Sequence, residues 1–428
     1  MLATRVLAPA CAQTAPAATA AEPSFKIIQA DDAWRAALPR DATAATQAYL
    51  DRLPAQSIAQ SDAYYEGGYW LQLWNLLLGL AVAALMLSGR RAARVRDWAQ
   101  ATARRPLLRD ALFAAVYTAA GWLLTLPLTI YQGYVREHAY HMATQGFGAW
   151  FAEQLLDLGL SVVVLSVAIA LLYAVFRRAG GRWWVWGTAF GVAAIVVFVA
   201  LSPVYIQPLV NTYKPVEDGP IKTAVLQMAR ANGVPAEDIY EFDASKQTTR
   251  VSANVSGLFG SAAVRLNDNL LRRTSQAEIR AVMGHELGHY VMNHAVKLLT
   301  SMTLVLLLGF YFAQWLMPVL LARFAASTGV TRVDDVAGVP LLLAVFSLFF
   351  ALATPLQNTL IRVQEAEADQ YGLNLSREPH GFAEAQLKIA EYRKTDPGPV
   401  EEIIFFHHPS TRNRIYAAMR WREAMGTP

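Results

Sequence analysis

The sequence predicts a mainly α, multi-pass helical membrane protein that also carries a mixed α+β domain with a small sheet. Three observations predict it. Apolar residues make up 54% of the 428-residue chain and gather in long blocks, and mean hydropathy is +0.26, a concentration that water-soluble domains do not show. The motif His285-Glu286-Leu287-Gly288-His289 lies in a segment of helical character between two such blocks. The single cysteine, Cys11, excludes an intrachain disulfide and a thiolate metal site, so any metal must be held by histidine and carboxylate.

Residues 1–24 are rich in Ala, Pro and Thr, with Arg5 before a short apolar run, and read as a signal remnant or a disordered start. Residues 25–66 mix short amphipathic patterns with Pro39 and Pro54, completing a polar preamble over 1–66. Within 67–206 lie four blocks of membrane-crossing length, 69–87, 107–131, 150–176 and 183–206. Trp70, Trp74, Trp183, Trp184 and Trp186 cluster near block ends, where interfacial aromatics sit. From 207 to 297 the composition turns mixed. Pro208, Pro215 and Pro220 precede a helix over 221–232 that Gly233 and Pro235 stop. Strands are expected at 239–242 and 250–257, the second pairing with 262–266 across Gly260-Ser261. Ser275 then caps the motif helix, with Glu278 at the third position of a capping box. Two further spans, 298–321 and 339–361, fill 298–361, so six are expected in all, and 362–428 is polar again.

At 3.6 residues per turn His285 and His289 share one helix face, so both imidazoles reach one metal ion, and Glu286 is about 100° around, within reach of a water. This is a zinc hydrolase arrangement, two histidines holding Zn²⁺ and the glutamate acting as general base. A third ligand should be a carboxylate. Glu365 and Asp369 stand four apart on one helix face, so if Glu365 binds the metal, Asp369 can reach back to orient a ligand histidine. The competing reading is a solvated acidic helix start just past a span, which Glu367 between them supports. His294 reads as a structural hydrogen-bonding residue, and His138 and His141 as solvated or packed loop residues. The net charge of +4 rests mostly on arginines in short loops beside apolar blocks, a pattern of membrane topology and not of a nucleic-acid surface.

H-E-L-G-H-Y with His294 after it, E-x-E-A-D after two further spans, and H-P-S-x-R-x-R at 408–414 together resemble the type I CaaX prenyl protease family of membrane zinc metallopeptidases. The likeness extends through 204–215 and Ser245-Lys246-Gln247-Thr248-Thr249, and covers the chain from about residue 66 onward. It implies spans enclosing a chamber over a gluzincin-like protease domain and one Zn²⁺ per chain. The implied ligands are His285, His289 and Glu365, with Glu286 as catalytic base and Asp369 as the carboxylate behind them. His408 and Arg414 are implied to line the cleft, where imidazole and guanidinium can donate to the oxyanion of the scissile carbonyl. His408 is preferred to His407 because it directly precedes Pro409. Strand 250–257 can hold a peptide by edge pairing at Ser252 and Ala253. The family usually has Asn before that Ala, and a serine hydroxyl has less reach. The span that family members usually place before the first one is expected to be missing.

The implied partners are a peptide or protein substrate cleaved near its C-terminus, prenylated in the CaaX case, and membrane lipid; no nucleic acid is expected. A bacterial inner membrane is the expected location, and there the alternative role is quality control of membrane proteins without prenylated substrates. A zinc-stabilised scaffold without catalysis and a transporter are readings of another class. A site-2-type intramembrane protease would put the motif inside a span and add L-D-G downstream; Glu278 and Arg280 make this helix polar and L-D-G is absent. The orientation stays open: Arg90, Arg91, Arg94, Arg96, Arg104, Arg105 and Arg109, with Arg177, Arg178 and Arg182, belong in the cytoplasm by positive-inside counting. That places the motif outside, whereas the resemblance implies a cytosolic-facing site.

Overall fold

A computed structural model describes residues 25–256 and 262–426. Asp31 and Asp41 accept from the backbone N–H groups of Trp34 and Ala44 and so cap α1 (Asp32–Ala36) and α2 (Ala42–Leu50). Pro54 precedes α3 (Ala55–Leu87), and left-handed Gly89 and Arg90 turn the chain into the polar α4 (Arg91–Thr102). Pro106, in the first turn where its missing N–H costs nothing, opens α5 (Pro106–Ile130), and a π turn leads into α6 (Arg136–Ala139). Next come α7 (Phe147–Ala179), α8 (Trp183–Leu201) and α9 (Gln207–Val210).

The mixed domain holds α10 (Pro220–Ala231), α11 (Asp268–Arg273) and α12 (Gln276–Val291), with β1 (Tyr213–Pro215), β2 (Ala236–Phe242), β3 (Ala253–Ser256) and β4 (Ala262–Asn267) in the order β1-β2-β4-β3. Only β2 and β4 run parallel; β3 is an edge strand, its Ala253 opposite Leu266. Two long helices follow, α13 (His294–Thr328) and α14 (Val339–Ser376), then α15 (Pro379–Ile389), α16 (Pro399–Phe405) and α17 (Thr411–Met425).

Five helical runs among the described residues are long and apolar enough to cross a membrane, where the sequence reading has six spans. The difference is one turn. The third run, Phe147–Val210, is 64 residues long and doubles back at Gly180 (φ 53°, ψ −127°), a conformation glycine adopts most easily, so that α7 and α8 pack on each other. Among the described residues, the expected strand over 250–257 forms strand pairs across Ala253–Ser256 and not at 250–252. Ahead of it the Asn267 N–H still donates to the Ser252 carbonyl at 2.9 Å, but the Asn267 side chain accepts from the Ser252 N–H at 3.0 Å and donates to the Arg250 carbonyl at 2.7 Å, taking groups that a longer ladder would pair. Gly260-Ser261 and residues 1–24 lie outside the described residues.

Residues 25–53 are not a separate preamble. Phe25, Leu38, Tyr49, Leu50 and Leu53 are buried in one core with Phe382 and Leu387 of α15, Ile415 and Met419 of α17, and Ala281 of α12. Arg52 grips Glu384 through two bonds of 2.5 and 3.1 Å, and Tyr49 Oη lies 2.7 Å from His380 Nδ1. A second core joins the spans around Phe113, Phe176, Trp183 and Phe310, and a third lies between the sheet, α10 and α12.

Candidate metal centre

Ser275 accepts from the Glu278 N–H and starts α12, while the Glu278 carboxylate is held by Lys388 at 2.7 Å. α12 crosses α14 with Gly284 and Gly288 set against Gly372 and Ala368, an approach that larger residues would forbid. The crossing brings together residues 80 positions apart: one ligand atom each from His285, His289 and Glu365 lies within 4.8 Å of the others.

The hydrogen bonds fix which imidazole nitrogens face inward. Glu367 Oε2 lies 3.1 Å from His294 Nε2, and a carboxylate only accepts, so His294 donates there and its Nδ1 is left as an acceptor. His289 Nδ1, 2.8 Å away, therefore donates to His294 Nδ1, and the lone pair of His289 Nε2 points inward. On the other side His285 Nδ1 is 2.8 Å from Asp369 Oδ1, which leaves His285 Nε2 bare in the same way. The two Nε2 atoms lie 3.1 Å apart, and Glu365 oxygens sit 3.3 and 3.5 Å from them. Glu365 Oε2 is buried without a hydrogen bond. Two imidazole nitrogens and a carboxylate oxygen drawn together in this way can hold a cation, and two imidazoles with one carboxylate suit a four-coordinate zinc with one open position.

Glu286 borders a cavity of about 170 Å³, together with Ser252 and Ala253 on β3, His285, His408 and Arg414. Burial pushes the Glu286 carboxyl above its ordinary range. His408 Nε2 is 3.1 Å from Glu365 Oε2, and its Nδ1 is buried with no partner. Burial first, and Arg393 next, hold this imidazole well below the usual range, so it is neutral. His407 stands one ring further out, 4.5 Å from His408 between centroids. Arg414, expected at the oxyanion, instead has its fork taken up by Asp369: Nε donates to Oδ2 at 2.8 Å and Nη2 to Oδ1. It braces the carboxylate that holds His285.

Sequence reasoning passed over Glu367, treated as part of a solvated helix start, and Lys297, which pairs with it at 2.8 Å. Their signal is the spacing His289 to His294, which leaves one imidazole buried behind another and in need of a counter-partner. His138, expected in a loop, lies in the short helix α6 and bonds the Tyr134 carbonyl at 2.8 Å, away from the centre.

Two family models divide the chain between them. The one described as CAAX prenyl protease N-terminal, five membrane helices, matches 38–212, where this chain places α3, α5, α7 and α8; the one described as peptidase family M48 matches 215–422. The uncharacterized metalloprotease YhfN of Bacillus subtilis is 29% identical over 79% of this chain and 80% of its own length. CAAX prenyl protease 1 of Saccharomyces cerevisiae is 25% identical over 84% and 80%. The crystal structure of S. mikatae Ste24p shares the fold, with a TM-score of 0.72 over 86% of this chain and 89% of that one at 20% identity. The chain therefore belongs to peptidase family M48, whose members are in general zinc-dependent, in the membrane-integrated branch marked by the CAAX prenyl protease N-terminal region.

Proposed function

We propose that this metallopeptidase holds one Zn²⁺ on His285, His289 and Glu365 and acts from a bacterial inner membrane on protein substrates near their C-termini, prenylated ones included. One observation carries the reading: the three ligand atoms converge within 4.8 Å beside the half-buried Glu286, in a cavity bordered by an edge strand. Zinc, when bound, would polarise the scissile carbonyl and acidify a water. Glu286 takes the proton of the attacking water and passes it to the leaving amine. His408, neutral, offers one N–H to charge developing on the substrate. Ser252 and Ala253 hold substrate backbone alongside β3. Asp369 keeps His285 in its ligating tautomer, Arg414 holds Asp369, and His294 does for His289 what Asp369 does for His285.

The alternative reading is general quality-control proteolysis without prenylated substrates. Zinc content and cleavage of a quenched farnesylated CaaX peptide and its unprenylated twin, for wild type beside Glu286→Gln, separate the readings. Cleavage lost in Glu286→Gln with zinc retained is expected. Equal cleavage of both peptides supports quality control, zinc without cleavage supports a scaffold, and no zinc rejects the centre.

A further inference from the structure

The wall between two cavities holds a cation with no carboxylate paired to it among the described residues. Arg393 borders both the cavity containing Glu286 and a neighbouring one of about 390 Å³; Tyr392 and His408 are shared as well. Its Nη1 is buried and donates no hydrogen bond. The other cations around the larger cavity have carboxylates of their own. Arg250 pairs with Glu137 at 2.6 Å, Arg136 reaches the same Glu137 at 3.6 Å, and Lys394 pairs with Glu66 at 2.5 Å and Glu401 at 2.9 Å. None of those carboxylates borders the cavity, so its lining is cationic.

A half-buried guanidinium whose Nη1 is shielded from water and unpaired is costly, and it is retained where a ligand completes it. Its planar fork matches a carboxylate better than any other biological anion except phosphate. Aromatic pairs line much of the remaining wall: Tyr69 stacks on Phe405 at 3.9 Å, and Tyr65 lies tilted against Phe406 at 4.6 Å between centroids. Such walls take apolar side chains and leave no room in the chemistry for a strongly hydrated phosphate.

We propose that Arg393 is a specificity-determining residue that receives the free C-terminal carboxylate of the substrate, whose last apolar side chains lie in the larger cavity. The proposal rests on the protease reading and deepens it, turning a general endopeptidase cleft into one that measures distance from a chain end. An internal Asp or Glu side chain could bring the same carboxylate.

The test uses zinc-loaded full-length protein and three quenched peptides of one sequence: the free acid, its carboxamide, and a carboxamide with Glu as the last residue. Wild type is expected to favour the acid over the carboxamide by about 10- to 100-fold in kcat/KM, chiefly through KM, the range for one charge-assisted pair. Arg393→Gln brings that ratio close to one, and Arg393→Lys recovers part of it. General structural damage lowers both peptides alike and leaves the ratio standing. Equal cleavage of acid and carboxamide by wild type, or a ratio that survives Arg393→Gln, overturns the proposal and leaves the protease reading intact. A Glu-ended carboxamide cleaved as well as the free acid overturns the chain-end assignment. Failure of zinc-loaded wild type on all three peptides removes the protease reading and the proposal with it.

Discussion

Gly284 and Gly372 meet so closely that a methyl group on Gly284 would come within 2.8 Å of the Gly372 carbonyl oxygen, and one on Gly372 within 2.6 Å of the His285 nitrogen. Both contacts are with backbone, which cannot swing aside. Gly284→Ala or Gly372→Ala must push α12 and α14 apart, and overpacking of this kind costs about 1–3 kcal/mol. The same displacement draws Glu365 away from the histidines. Zinc per chain and the thermal midpoint should therefore fall together. Gly79→Ala, where a methyl meets nothing within 4 Å, should leave both near wild type. A Gly284→Ala protein with full zinc and an unchanged midpoint would disprove the spacing argument.

His294→Ala removes the acceptor of the His289 Nδ1 proton and frees that ring to turn. Loss of a partner behind a metal ligand typically weakens binding about 10- to 100-fold. Competition with a chelator should show it, and Glu367→Gln should show less, because an amide oxygen still accepts from His294.

Arg414 allows two roles to be told apart. A donor to the oxyanion would, when truncated, lower kcat with zinc retained. A brace for Asp369, as the geometry has it, gives Arg414→Ala a buried carboxylate without its fork, and zinc retention falls along with activity. Metal analysis after gel filtration reads the difference directly.

The chemistry was legible because it is local or nearly so. His285, Glu286 and His289 are joined by one helical turn, and Glu365 with Asp369 by another, so periodicity alone puts each set on one face. The break between α7 and α8 was likewise legible from the gap between the apolar blocks 150–176 and 183–206. What escaped depends on partners distant in sequence. Nothing in 25–54 reveals that Arg52 will find Glu384, 332 positions away, and short amphipathic helices read the same whether they lie on solvent or on a core. Strand 250–257 was read too long because a side chain, Asn267, competes with the backbone ladder, which alternation of residue types does not register.

Arg52→Ala tests the docked N-terminal segment. It leaves Glu384 buried without its bidentate partner, a change of about 3–5 kcal/mol when one member of a buried pair is removed. A fall in thermal midpoint with a faster first cleavage in limited proteolysis near residues 25–54 is expected. If the midpoint is unchanged, the segment contributes no stability to the domain it covers.

The same docking constrains orientation. Phe25 and Tyr49 share a core with Ala281 of the metal helix and Ile415 of the last helix, so the segment from residue 25, the last helix and the candidate metal centre lie on one side of the spans. The opposite side carries the turns between α3 and α5 and between α7 and α8, with Arg90, Arg91, Arg94, Arg104, Arg105, Arg177, Arg178 and Arg182 all exposed. Arginine in short loops is retained in the cytoplasm, so this end should be cytoplasmic and the centre should face away from it. Alkaline phosphatase, active only when exported, should then be active fused after Pro428 and inactive fused after Arg105. The reverse pair would show that the fold's family orientation overrides its loop charges. Two active or two inactive fusions would contradict the separation of the arginine turns from the zinc centre.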